Sequence, residues 1–119
     1  NIKLINLRVG YVYGKGMNQT RIQSIFEKEL KENNTISVFG NGERIIPQIE
    51  VSELNKIVNM FISNPVEGVF NTAKENVSLI TIAERIIKKK GNNESEIILL
   101  TKGNHNKFKL NLNKINNIN

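Results

Sequence analysis

The sequence predicts a mixed α/β domain. Short apolar runs of high β-propensity alternate along the chain with segments whose apolar residues recur every three or four positions. Glycine, asparagine and proline mark most changes from one kind of segment to the other. The predicted order is strand, helix, strand pair, helix, strand, helix, strand, without an internal repeat or a dividing linker in the 119 residues.

The first part of the chain is predicted to hold three strands and one helix. Residues 2–9 form a strand, which ends in a loop formed by GYVYGKG. A helix begins near Thr20, its predicted N-cap. TISVFG and IIPQIEV are two strands joined by an Asn-Gly turn. Pro47 predicts either an edge strand or a strand whose pairing begins only after the proline.

The second part is predicted to hold two helices, two strands and a tail. Ser52 caps a helix, which is followed by the strand GVFNTA. The next helix begins at Ser78 or Thr81 and ends at Gly91, before the short strand EIILL. From Thr101 onward the chain reads as a weakly docked tail. The predicted apolar helix faces are Ile22, Ile25, Phe26 and Leu30; Leu54, Ile57, Val58, Phe61 and Ile62; and Ile82, Ile86 and Ile87.

Composition narrows the classes of function. Hydrophobic residues make up 39% of the chain, enough for a core, and cysteine is absent, which excludes disulfides and thiolate chemistry. His105 stands alone in a polar stretch, so no metal site is predicted. No apolar run has the length of a membrane span and no signal peptide is visible, so a cytoplasmic protein is expected. The net charge of +6 leaves nucleic-acid binding as a minor alternative, because the basic residues are scattered and KKK at 88–90 ends a predicted helix.

Four segments, in order, resemble the C-terminal part of the NAD-dependent epimerase/dehydratase family, within the extended short-chain dehydrogenase/reductase superfamily. They are LRVGYVYGKGM (7–17), VFGNGERIIPQIEVSEL (38–54), GVFNTA (68–73) and VSLITIAERIIKKKG (77–91), and the tail KFKLNLNKINNI is similar to the family's closing stretch. The resemblance implies an α/β fold that forms the C-terminal portion of an NAD(P)-binding, Rossmann-like enzyme. It also implies that residues 1–119 form a single substrate-binding fragment. The expectation of a fragment agrees with the position of Asn1, which leads directly into a predicted strand.

The resemblance implies catalysis by residues that this sequence does not contain. Members of the family bind NAD or NADP at a glycine-rich turn and use a Tyr-x-x-x-Lys pair on a helix, and neither motif is found here. Tyr11 and Lys15 have the spacing but lie in a glycine-rich stretch, so we interpret them as a coincidence. The expectation is a chain that carries no catalytic residue and binds no cofactor by itself, whereas its parent protein does both.

Five residues are predicted to contact ligands through this resemblance. Tyr13 and Gly14 match the family's Tyr-Gly, which turns towards the nicotinamide end of the cofactor. Tyr11 takes the place of an asparagine that contacts the substrate diphosphate. Arg8 stands where the family's strand ends, and an arginine there more often organises neighbouring loops than contacts the substrate. Arg44 stands two residues before the place of the diphosphate-binding arginine, which is isoleucine here, and an arginine fork suits phosphate oxygens.

Several alternatives stay open from the sequence. Gly40 and Gly42 have the spacing of a turn, and Arg44 beside them is an exposed strand residue, a ligand contact, or part of a packing or dimer salt bridge. The parent is expected to be an epimerase, dehydratase or reductase acting on a sugar or nucleotide-sugar. The alternative is a non-catalytic binding module of a divergent relative. A homodimer through the edge of the first strand is a further alternative.

Overall fold

The structure, a computed structural model, describes residues 2–16 and 21–118. The strands within these residues are β1 (Ile5–Val9), β2 (Tyr11–Tyr13), β3 (Thr35–Val38), β4 (Ile45–Glu50), β5 (Gly68–Thr72), β6 (Glu75–Ser78) and β7 (Glu96–Leu99). The helices are α1 (Ile22–Asn33), α2 (Val51–Ser63), α3 (Leu79–Lys90) and α4 (Asn113–Asn116). The mixed α/β class is confirmed.

The chain divides into two compact units. The first contains residues 1–15, 47–76 and 109–119, and the second contains residues 16–46 and 77–108. Strands β4 and β6 each contribute residues to both units. The first unit is therefore assembled from three separate segments of the sequence, and the second from two.

A parallel strand pair and two helices form the core of the first unit. β1 pairs with β5 in parallel, with Leu7 opposite Phe70. Phe70 is buried against Phe61 of α2, their ring centroids 5.0 Å apart. Leu7 packs against the same cluster from β1. The first strand begins at Ile5 rather than Ile2, which is 96% exposed and pairs with no strand among the described residues.

The end of the predicted tail, residues 110–118, is an integral part of this core, so the prediction of weak docking is wrong there, whereas residues 101–109 are exposed. Leu112 and Ile115 are buried together with Phe61 and Phe70. Lys114 Nζ donates a hydrogen bond to the Val69 carbonyl at 2.9 Å and lies 4.7 Å from the centre of the Phe70 ring. The sequence suggests weak docking because asparagines separate the apolar residues of the tail. Asparagines outside the tail, however, bond to its backbone.

Two asparagines in particular hold the tail by pairing with backbone groups. Asn76 exchanges two hydrogen bonds with the backbone of Leu110, each 2.9 Å long, through its amide nitrogen and its amide oxygen. Asn71 donates a third to the Asn111 carbonyl at 3.2 Å. An amide side chain can pair with a backbone N–H and a backbone carbonyl at once. Asn76 therefore satisfies both backbone groups of Leu110, which would otherwise be unpaired inside the protein.

The short strand β2 is not predicted by the sequence. GYVY has the pattern of a strand end and a loop, whereas Tyr11–Tyr13 forms a parallel pair with β4 in which Tyr11 lies opposite Gln48 and Tyr13 opposite Glu50. β4 is the middle strand of the sheet β2-β4-β6. The prediction of an edge strand at Pro47 is wrong, because β4 is a middle strand. The alternative, pairing only after the proline, holds for β2, which pairs from Gln48 onward, but not for Ile45, which already bridges to Lys107 before the proline.

In the second unit, α1 and α3 accompany a parallel pair formed by β3 and β7. Ile36 lies opposite Ile97 and Val38 opposite Leu99. Ile36 and Val38 are fully buried, and Glu29 of α1 accepts hydrogen bonds from the other side of β3. The predicted pairing of TISVFG with IIPQIEV is therefore wrong, because β3 and β4 belong to different sheets.

Gly40–Gly42, the Gly-Asn-Gly stretch between β3 and β4, is a 3-10 turn that packs closely against the loop containing Lys102 and Asn104. Gly40, Asn41 and Gly42 all have positive φ, at 63°, 54° and 75°. The N–H of Gly40 donates to the Lys102 carbonyl at 2.6 Å, and a Cβ on Gly40 would lie 2.3 Å from the Asn104 carbonyl oxygen. Turn geometry and close packing account for Gly40 without a ligand.

The helices begin at residues that differ in part from the predicted caps. Ser52 is not the N-cap of α2: Glu50 occupies that position, and the Ser52 hydroxyl donates to its carboxylate. Ser78 is the N-cap of α3, and its hydroxyl accepts from the Thr81 N–H at 3.3 Å. Thr20, the predicted cap of α1, lies outside the described residues, and Gly91 ends α3 as expected.

The predicted apolar faces are confirmed in part. Phe26 and Leu30 of α1, Phe61 of α2 and Ile82 and Ile86 of α3 are buried. The outer members Ile25, Val58 and Ile62 are exposed.

Replacing Gly40 with alanine should lower the free energy of unfolding by more than the cost of a positive φ alone, because the added Cβ would also clash with the Asn104 carbonyl. The matched control is Gly16→Ala, because Gly16 also has positive φ, at 88°, but a Cβ there would meet no described atom within 4 Å. We expect the control to cost about 1–2 kcal/mol and Gly40→Ala about 2 kcal/mol more, measured as the free energy of unfolding in urea. Equal costs would contradict the close packing of the turn.

Truncation of Ile115 tests the docking of the tail. Because Ile115 is 7% exposed within the Phe61–Phe70 cluster, Ile115→Ala should lower the free energy of unfolding by about 2–4 kcal/mol. Ile62→Ala, the same change at a side chain that is 71% exposed, should lower it by less than about 0.5 kcal/mol. A loose tail would give similar small values for both variants in denaturant titrations.

Candidate functional site

The parallel register of β2 and β4 places four polar side chains on one face. Side chains of register partners in a parallel pair point the same way, and they alternate along each strand. Tyr11 and Gln48 therefore share a face with Tyr13 and Glu50, while Val12 and Ile49 lie on the opposite face. We call Tyr11, Tyr13, Gln48 and Glu50 the polar face. Two of its members, Tyr13 and Glu50, are the last residues of their strands, and ligands bind beyond the carboxyl ends of strands in open α/β sheets.

The members of the polar face differ in burial. Tyr11 and Tyr13 are half-buried, Gln48 is 6% exposed and Glu50 is exposed. Both tyrosines also make interactions within the chain. The face thus runs from a buried carboxamide to an exposed carboxylate, with two phenols beside them. Hydroxyl, amide and carboxylate groups together offer both donors and acceptors of hydrogen bonds.

Gly14 follows the polar face and packs against the start of α2. Its φ is +142°, and a Cβ at this position would lie 2.7 Å from Cγ1 of Val51. Only glycine permits both this backbone conformation and this approach. Gly14 therefore brings the loop after β2 against the first residue of α2, whatever further role it has towards a cofactor.

Arg8 lies on the strand that precedes the polar face. It is exposed on β1, opposite Asn71 of β5, on the face of that pair turned away from Phe70. Its place in the sequence is three positions before Tyr11, which is at most about 10 Å of extended chain. Its guanidinium has no hydrogen bond or ion pair within the described part of the chain.

Arg44 belongs to the second unit and lies just ahead of β4. Its carbonyl accepts a hydrogen bond from the Leu79 N–H at 2.9 Å, and this half-buried residue is engaged in a further interaction. The neighbouring Ile46, at the place of the family's phosphate-binding arginine, is 1% exposed and part of the core. Four of the five predicted ligand contacts, Arg8, Tyr11, Tyr13 and Gly14, thus lie in the first unit.

The sequence did not indicate that Gln48 and Glu50 share a face with Tyr11 and Tyr13. The alternation of IIPQIEV could have indicated that they share a face, but nothing in the sequence pairs that face with Tyr11 and Tyr13. Among residues 2–16 and 21–118, no group of three or more histidine, aspartate and glutamate side chains could hold a metal ion. None of the helices in these ranges has the length and apolar character that crossing a membrane requires.

No protein-family model and no curated protein matches this chain. Its fold does match solved structures. One is UDP-N-acetylglucosamine 4-epimerase from Methanobrevibacter ruminantium M1 in complex with UDP-N-acetylmuramic acid, with a TM-score of 0.77 and 18% identity over 94% of this chain and 38% of that one. Another is dTDP-glucose 4,6-dehydratase from Bacillus anthracis in complex with NAD, with a TM-score of 0.72 and 17% identity over 95% and 37%.

A third match repeats the pattern. UDP-N-acetylglucosamine 4-epimerase from Bacillus cereus has a TM-score of 0.70 and 17% identity over 82% of this chain and 34% of that one. The chain therefore spans little more than a third of the length of these enzymes, and at such identities the likeness concerns the fold. The fold that the sequence resemblance predicted is confirmed: this chain has the fold of part of the NAD-dependent sugar-nucleotide dehydratases and epimerases.

Proposed function

We propose that this chain is the substrate-binding, C-terminal portion of an NAD(P)-dependent epimerase, dehydratase or reductase that acts on a sugar or nucleotide-sugar. The observation that carries the proposal is the match in fold, over 94% of the chain, to an epimerase solved with a UDP-sugar. The catalytic tyrosine and lysine and the glycine-rich turn for NAD or NADP belong to another part of the parent protein.

The first unit supplies the residues for this role. Tyr11 lies on the polar face, and Arg8 precedes it on the neighbouring strand with no ion pair within the described residues. A guanidinium that makes no ion pair with these residues can bind a phosphate group without breaking an existing interaction. Arg44 is already engaged within the chain, which makes Arg8 the better candidate for the diphosphate. Tyr13 and Gly14, at the far end of β2, face the cofactor in the parent protein.

Ligand titration of the chain, followed by amide NMR, tests the proposal. UDP-N-acetylglucosamine or dTDP-glucose should shift the signals of residues 8–14 and 48–50, and Arg8→Ala should weaken binding about tenfold or more, because a charge-assisted bond to phosphate is lost. Arg21→Ala, at an exposed N-cap position without a side-chain capping bond, is the matched control and should leave binding unchanged. NAD alone should shift no signal.

Two outcomes would contradict the proposal in different ways. No shift with either sugar nucleotide at millimolar concentration would remove the substrate-binding role. Shifts confined to Lys88–Lys90 that vanish with salt would indicate binding to a polyanion, the minor alternative raised by the net charge. A full-length protein that binds the sugar nucleotide but neither binds NAD(P) nor forms product would instead be a non-catalytic binding module.

A further inference from the structure

The outer edge of β7, the side turned away from β3, is open. No other strand of residues 2–16 and 21–118 joins the sheet that these two strands form. The Leu100 N–H, just after β7, donates to the Val38 carbonyl of β3 at 2.9 Å. Because backbone groups alternate in direction along a strand, Ile97 and Leu99 turn their N–H and C=O groups away from β3. These groups have no hydrogen-bond partner in the described part of the chain.

The outer edge of β3, in contrast, is covered by α1. The Ser37 N–H at that edge donates to Glu29 Oε1 at 2.8 Å, and the Thr35 and Ser37 hydroxyls donate to Glu29 Oε2 at 3.1 and 2.8 Å. An uncovered row of backbone groups is a template for a further strand, which proteins usually protect. On β7 that row lies between apolar side chains, since Ile98 is 42% and Leu99 47% exposed. One edge of this sheet is thus closed and the other can accept a strand.

The charges at the two ends of β7 favour a second copy of the same chain as that strand. Glu94 and Glu96 lie at its amino end and Lys102 follows its carboxyl end. All three side chains are exposed, and none has an ion pair within residues 2–16 and 21–118. An antiparallel copy would place the carboxylates of each chain beside the lysine of the other, whereas a parallel copy would place like charges together.

We propose that β7 pairs with β7 of a second copy, antiparallel and centred on Ile98, in a continuous sheet with two strands from each copy. In this register Ile97 of each copy lies opposite Leu99 of the other, and the outward N–H and C=O groups of both residues bond to each other. The exposed Leu99 side chain then packs on Ile97 of the second copy, and Glu94 is brought towards Lys102. Because α1 covers the outer edge of β3, the pairing closes at a dimer.

Sedimentation of the 119-residue chain from micromolar to millimolar concentration tests the dimer. The native chain should pass from monomer to dimer. Ile98→Lys should raise the dissociation constant at least about tenfold, because it places two like charges opposite each other at the twofold axis. The matched control is Ile62→Lys, the same change at an exposed apolar residue of α2, which should leave the dissociation constant unchanged.

Amide hydrogen exchange on the native chain tests the register without a variant. The amides of Ile97 and Leu99 should exchange more slowly as the protein concentration rises, because only the second copy supplies their acceptors. The Ile98 amide points towards β3 in monomer and dimer alike, so it serves as the internal reference and should show a smaller change.

Four results would overturn the proposal. The first is a chain that stays monomeric at millimolar concentration. The second is a dimer that a folded Ile98→Lys variant leaves intact, since the interface would then lie elsewhere, as at the edge of β1. The third is slow exchange of the Ile97 and Leu99 amides at every concentration, which would mean that the chain itself covers this edge. The fourth is growth beyond a dimer. The thermal unfolding midpoint checks that Ile98→Lys folds, and the exchange measurement does not depend on it.

Discussion

The register of β2 on β4 is the constraint on which the candidate site depends. β2 has only three residues, and a shift of one residue would exchange its two faces. Tyr11 and Tyr13 would then point away from Gln48 and Glu50, and the polar face would not exist. The packing of Gly14 against Val51 helps to fix this register, because it holds the residue after β2 against the residue after β4.

The first unit, which contains the candidate site, is held together by contacts between residues that are far apart in the sequence. The first unit joins three segments, and its last segment reaches the core through Leu112 and Ile115. The Asn76 side chain bonds to the backbone of Leu110 within this segment, and Lys114 of the segment donates to the Val69 carbonyl. Such closure costs conformational entropy that only the assembled core offsets. The arrangement of β1 and β5, from which Arg8 projects, therefore depends on the tail.

Most elements could be predicted from the sequence, but their partners could not. Helical periodicity and turn residues are local signals, so the sequence places α1, α2, α3 and the strand β5 near their true positions. Pairing is non-local. TISVFG and IIPQIEV are neighbours in sequence and suggest a hairpin, yet β3 pairs with β7, the last strand of the chain's described part. Parallel partners require a crossover connection, and the sequence of a strand does not specify which crossover returns to it.

Pro47 illustrates the same limit in one residue. Proline cannot donate to a ladder, which predicts an edge strand, but β4 is the middle strand of its sheet. Ile45 exchanges hydrogen bonds with Asn106 and Phe108, and pairing with β2 begins at Gln48. Pro47 lies between these two sets of partners, so its missing N–H removes no hydrogen bond from either set.

The candidate site shows a comparable division between what is local and what is assembled. Tyr11, Tyr13 and Gly14 could be selected as candidates by a motif, because they are close together in the sequence, whereas Gln48 and Glu50 become candidates only through the register. The motif also assigns Tyr11 to the diphosphate, following the asparagine it replaces. A phenol is a weaker partner for phosphate than a cation is, and here it shares a face with a carboxylate. The motif can thus name Tyr11 as a candidate, but the chemical character of its surroundings is decided by the neighbours on the assembled face.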